Sequence, residues 1–378
     1  MTTVARSLVD QGTARRLKVV LARHSLVKGA SMAKQEVRLK GKVCRPHKAA
    51  IAPILDSRTV LTDSHWQFVE LWLTREKQAD ALLYWRQARE FHAAAKGLSS
   101  QASPLPLYYC YLNAAKCLLT AKGVQYDPHH GVREKKRTAN ARIDLSNEGV
   151  KLLNRGVAPA LSVYFGETEP NNEHYLKDIF LNLPFIHRTY ILSFPAETEV
   201  YIPLVDCRFI HDSVTRRAYF AANLSKDFKA GIIFKRAPSS LIADPDYAGG
   251  GIRSSASAAC DHAGRPTLRD ISNIKGLNRL LRGDIEYING SQTLWYMRTQ
   301  PSGATLIKRR VPTLTLMAMH RLSELARYKP LELNKHLSSK KNWLIDEFLR
   351  MSPSQFIDEI ASEITGFQFQ IPNVRAPV

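Results

Sequence analysis

The sequence predicts an α+β protein: an N-terminal helical bundle, a central, mostly antiparallel β-sheet, and C-terminal helices packing back on the rest. Two observations carry this. Apolar residues recur at helical spacing up to about residue 140 and again after Pro312, whereas short aromatic and β-branched runs with alternation dominate in between. Helices and strands in separate blocks suit an α+β arrangement better than a doubly wound one. A third observation concerns partners. The 378 residues hold 54 Lys and Arg against 34 Asp and Glu, a formal charge of +20.

In chain order, residues 1–48 form a basic arm with twelve Lys or Arg and only Asp10 and Glu36 as acids. Such concentration favours a polyanion, and Arg15, Arg16, Lys18, Arg38, Lys40 and Lys42 are its candidate phosphate contacts. The Arg-rich, acid-poor start also has the character of an organellar leader, and Met32 is an alternative start. Residues 49–159 read as the helical region. "DSHWQFVELWLTREKQADALLYWRQAREFHAAAKG" runs from a cap at Asp63 or Ser64 to a stop at Gly97 as one helix. "LYYCYLNAAKCLLTAKG", Leu107 to Gly123, is apolar all round except for a stripe of Asn113, Lys116 and Thr120. The stripe is expected to bond to neighbouring helices or to the loop containing His129-His130-Gly131.

Residues 160–312 read as the β-rich region. "ALSVYFG", "IHRTYILSF", "EVYIPLVDCRFIHD", "RRAYFAANL" and "AGIIFKR" are its candidate strands. Asp244 to Pro266 is a long Gly/Ser loop, and two or three further strands follow. Lys308, Arg309 and Arg310 close the region at an expected strand end, as further phosphate contacts. Residues 313–378 are helical again. Ser352 followed by Pro353 marks the start of a last helix with Phe356, Ile360 and Ile364 on its apolar face.

No window reaches the length of a transmembrane helix. The five cysteines form no C-x-x-C, and Cys110 and Cys117, about 10 Å apart along one helix, are too distant to bridge. A reducing, cytoplasmic location follows, with no disulfide framework or zinc ribbon. No Walker A, G-x-G-x-x-G, G-x-S-x-G or H-E-x-x-H motif occurs, so no metal and no cofactor are expected. "RQAREFH" gives Arg86 and His92 the arginine-to-histidine spacing of a metal-independent ribonuclease, with histidine as acid or base and arginine on phosphate charge. With 31 Arg and 12 His, such spacings also arise by chance, as at Arg58–His65. Six residues turn a helix by roughly 600°, which leaves the two side chains on different sides.

Three segments together carry a resemblance. "PLPLYYCYLNAAKCLLTAKG" with the later "HHG", "IDLSNEGVKLLNRG", and "HRLSELARYKP…NWLIDEFLRMSPSQFIDEIASEITG" are similar in order and type to the YaaC-like bacterial proteins, over residues 60–365. The helical half also resembles HEPN-type bundles, many of which are binding modules without nuclease activity. The function expected is that of a cytoplasmic bacterial nucleic-acid-binding accessory or regulatory protein, with RNA or DNA as partner. A HEPN-type ribonuclease of stress or phage defence is the first alternative. A scaffold that engages a protein partner or a second copy is the other.

Overall fold

A computed structural model describes residues 33–370, apart from 63, 139, 229, 248 and 249. Arg15, Arg16 and Lys18 lie outside the described residues.

The main sheet has eight antiparallel strands. Its path runs β10 (Leu241–Ala243), β11 (Gly251–Ser254), β9 (Arg217–Leu224), β8 (Tyr201–Asp212), β14 (Leu294–Arg298), β13 (Ile285–Ile288); β1 (Lys34–Glu36) adds to β8 and β12 (Ala258–Ala259) to β9. Alternation along β8 buries Ile202 and Leu204, then Cys207 and Phe209, in one core. The phase shifts at a bulge between Val205 and Arg208, where Asp206 takes a left-handed φ of 55°. Helix α8 (Leu268–Leu281) adds Ile274, Leu277 and Leu281 to that core. Its start is fixed by a reciprocal cap, Thr267 bonding the Asp270 amide and Asp270 the Thr267 amide.

The second core is helical. α1 (His65–Arg75), α2 (Ala79–Ala95) and α3 (Pro104–Ala121) pack with α4 (Val157–Phe165), α5 (Leu176–Leu181), α6 (His187–Ser193), α9 (Val311–Tyr328) and α11 (Asn342–Thr365). Short α7 (Ala230–Phe234) and α10 (Pro330–Leu337) complete the helices named here. α3 is the axis: α2 runs along it, and α9 and α11 cover its other sides. Tyr111 of α3 stacks on Phe356 of α11 at 4.4 Å, and its hydroxyl meets Ser352 Oγ at 2.7 Å. A three-stranded antiparallel sheet, β5 (Val132–Lys135), β6 (Gly149–Leu152), β7 (Glu173–Tyr175), lies beside α9. β4 (Val60–Leu61) pairs in parallel with β15 (Phe369–Gln370), and β2 (Arg38–Leu39) forms a hairpin with β3 (Lys42–Val43).

This overturns the N-terminal helical bundle. The first described elements are strands, β1–β4, and the helices that follow find their core partners in α9 and α11, some 200 residues later. Several strands expected from composition are helices. "ALSVYFG" lies mostly in α4, "IHRTYILSF" mostly in α6 and "AGIIFKR" mostly in α7, because a short apolar run has the same composition in either backbone state. The long helix from residue 64 is two, since Lys77 adopts φ +56° between α1 and α2. The Gly/Ser stretch carries β11 and β12. Pro353 does not start a helix but sits inside α11.

Candidate anion-binding pocket

The two cores meet at a cavity of about 640 Å³. Its wall comes from the end of α4, from α8 and the turn after it, from the end of β14, and from the segment leading into α9. Five cations, Arg279, Arg298, Lys308, Arg309 and Arg310, face two acids, Glu167 and Asp284.

Each cation is set differently. Arg298 is buried at the end of β14 and donates to the Asn182 side chain and to the Ile307 carbonyl, the latter at 2.7 Å. Arg309 is buried and donates to Ser162 Oγ at 2.9 Å, to Glu167 at 3.3 Å and to the Asn172 side chain at 2.8 Å. Glu167 is occupied further by the Arg310 amide at 2.9 Å and the Thr313 hydroxyl at 2.6 Å. Arg310 donates to the Arg279 carbonyl at 3.4 Å, and its nearest carboxylate, Glu286, is 3.9 Å away. Burial lowers the Arg310 pKa from its ordinary value, and Glu286 offsets this in part. Arg279 and Lys308 are exposed. Gly166 ends α4 at φ +65°, and a Cβ there would lie 3.2 Å from the Arg279 guanidinium, so glycine serves both the left-handed cap and the space for this arginine.

The wall is short of acceptors. Arg298 Nε, Arg309 Nε and Arg310 Nη1 are buried with no acceptor among the described residues, and all three belong to residues over nine-tenths buried. Buried donors are normally satisfied, and these leave positive charge behind the cavity surface only partly neutralised by the fold.

Behind this wall lies an ionic core on α11. Arg282 donates to Glu286 at 2.6 Å and to Glu359 at 2.9 Å. Burial is the largest influence on Glu359 and pushes it up to about 8 against the pull of Arg282. Asp358 accepts from Lys48 at 3.1 Å, His65 at 2.9 Å and Tyr287 at 2.8 Å. Lys48 is completed by the Asn289 side chain at 2.9 Å and the Phe369 carbonyl at 2.8 Å.

The sequence candidates fall in several places. Lys308, Arg309 and Arg310 do line the pocket, in an irregular segment before α9 rather than at a strand end. Arg279 and Arg298 were missed, since neither belongs to a basic run and only the fold brings them there. Arg38 pairs with Glu36 and Lys40 with Asp56; Lys42 is exposed on β3. Of the stripe of α3, Lys116 meets the neighbouring helix, its ammonium 5.5 Å over the Tyr84 ring of α2, whereas Asn113 donates to the Tyr109 carbonyl at 3.0 Å and the Thr120 hydroxyl meets that of Tyr126 at 3.0 Å. The His-His-Gly loop turns to α4 and α9 instead. The His129 and His130 carbonyls accept the first amides of α4 at 2.9 and 3.0 Å, and the His130 ring lies 4.5 Å from that of His320. Gly131 and Gly156 touch so closely that a Cβ on Gly156 would be 2.5 Å from the Gly131 Cα.

Arg86 and His92 are not brought to one point. Arg86 donates to Glu70 at 2.8 Å, whereas His92 packs 5.5 Å from the Trp66 ring and burial lowers its pKa. Among the described residues no group of three His, Cys, Asp or Glu is placed to hold a metal ion, and no helix is long and apolar enough to cross a membrane.

No curated protein and no solved structure matches this chain. The HEPN similarity therefore has no support from the comparisons. One family model does match, described as YaaC-like Protein, over residues 54–364. That span takes in α1 to α11 almost entire, together with every residue of the pocket wall, and the chain belongs to the YaaC-like family.

Proposed function

We propose that this protein binds nucleic acid as an accessory or regulatory component, and that the arginine pocket seats a phosphate of a single-stranded segment. The observation that carries the reading is the gathering of five cations around one cavity whose acid Glu167 is already taken by Arg309, the Arg310 amide and Thr313. The charge of +20 supports it, because it draws polyanions to the surface from a distance. A cavity of about 640 Å³ accommodates a nucleotide-sized group rather than a duplex, which favours a strand end or an unstacked nucleotide. The five cysteines are all buried and unpaired, in keeping with a reducing, cytoplasmic setting.

The test is fluorescence anisotropy with single-stranded RNA and DNA across a salt series. The Arg279→Glu, Lys308→Glu double variant changes two exposed side chains. It is expected to weaken binding by roughly tenfold or more and to flatten the salt dependence by about one counterion per contact removed. Unchanged affinity and slope would remove the pocket from the binding mechanism.

A further inference from the structure

A second cleft, of about 520 Å³, opens beside α11, where the first turn of α1 faces the end of α2. Arg89 of α2, Lys96 just after it and Arg350 of α11 line it, with His65, His92 and Trp66, and no Asp or Glu does. Arg89 shares the Glu70 carboxylate with Arg86, so one acid serves two guanidinium groups. Lys96 and Arg350 are exposed and make no ion pair among the described residues. The cleft is thus cationic on three sides.

His65 gives this charge a specific chemistry. Its side chain is over nine-tenths buried, edge-on to Phe369, and Nε2 lies 2.9 Å from Asp358. Burial alone would raise Asp358, yet Lys48 and His65 hold it below its ordinary value, so it is a carboxylate and can only accept. Nε2 therefore donates to Asp358, which leaves Nδ1 as the ring nitrogen free to meet a ligand hydroxyl. Nδ1 has no partner among the described residues, and His65 lines the cleft.

We propose that this cleft binds the ribose-phosphate unit of RNA, with Arg89, Lys96 and Arg350 taking the phosphate and His65 Nδ1 hydrogen-bonding the 2′-hydroxyl. An anion with no neighbouring hydroxyl satisfies the cations and leaves Nδ1 bare; a ribonucleotide satisfies both. The 2′-hydroxyl is the group by which a protein tells RNA from DNA. The inference extends the nucleic-acid reading by naming the sugar, and it uses a different cleft.

Binding of a short single-stranded RNA, the DNA of the same sequence and the 2′-O-methyl RNA decides it. Wild type is expected to prefer RNA to both others by about tenfold. Arg350→Glu should weaken all three, and His65→Phe should erase the preference while leaving DNA binding in place. If His65→Phe does not fold, the 2′-O-methyl strand and Arg350→Glu still give the answer. Equal affinity of wild type for the three strands, or unchanged RNA binding by Arg350→Glu, overturns the proposal. If binding then still falls in Arg279→Glu, the first pocket stands without the second.

Discussion

Asp358 on α11 and Arg310 at the start of α9 are both ions inside the protein, and their surroundings differ in kind. Asp358 meets three donors and its chief partner, Lys48, meets three acceptors. Arg310 has a carboxylate only at 3.9 Å and keeps an unmatched nitrogen. The first arrangement is closed and holds chain segments together. The second is open and leaves positive charge that the fold does not fully neutralise. The difference separates buried charge satisfied within the molecule from buried charge that is not.

Three measurements test the contrast. The largest effect is expected from Asp358→Ala, which strands a buried Lys48 and should cost about 3–5 kcal/mol in urea unfolding. A cost below about 1 kcal/mol would show that the cluster is not closed.

The next effect is read from pH. Around Glu148 burial raises the carboxyl, but His336 and Arg321 outweigh it and hold the group at about 2, below its ordinary 4.5. Its contribution is therefore complete above pH 4.5 and lost as pH falls toward 2, on the order of 3 kcal/mol. Glu359, raised to about 8, has the opposite sign: its proton favours the folded state below 4.5, and that help fades as pH climbs to 8. Unfolding free energies from pH 3 to 9 should show Glu148→Gln losing the acid-side fall and Glu359→Gln losing the fall between 5 and 8. Identical pH profiles for the two variants would contradict the assignment.

The smallest effect is expected at the open site. Arg310→Met keeps the volume and removes a cation that lacks a close partner, so unfolding should change by less than about 1 kcal/mol. A loss comparable to that of Asp358→Ala would make Arg310 a structural residue and erase the distinction.

Some of this was legible in the residues. β8 and β9 were, because long alternating runs have one interpretation. The run from Lys308 to Arg310 pointed to the pocket because three cations in succession stand out. α4 was not legible, since "ALSVYFG" suits a buried strand as well as a buried helix. The better signal was length: Gly156 and Gly166 frame nine helical residues, with φ of 117° and 65°. α11 was obscured by its own cap motif. Ser352 before Pro353 reads as a start, but its hydroxyl is claimed by Tyr111, and the helix runs through the proline with core on both sides. The buried acids of α11 resemble a solvated face. Their partners Lys48 and Arg282 are distant in sequence, and no local pattern names them.

The seam between α3 and α11 also sets the timing of assembly. Lys48 leaves the ribosome early, and its carboxylate partner follows 310 residues later. Tyr111 likewise waits for Phe356, and the α2–α3 pair has its outer faces bare until α9 and α11 emerge. Translation runs from one end to the other, but the helical core closes only when the final helix arrives. The chain must be made through residue 365 before α1–α3 are sheltered, and a nascent chain stalled short of residue 342 exposes apolar surface that the finished protein hides.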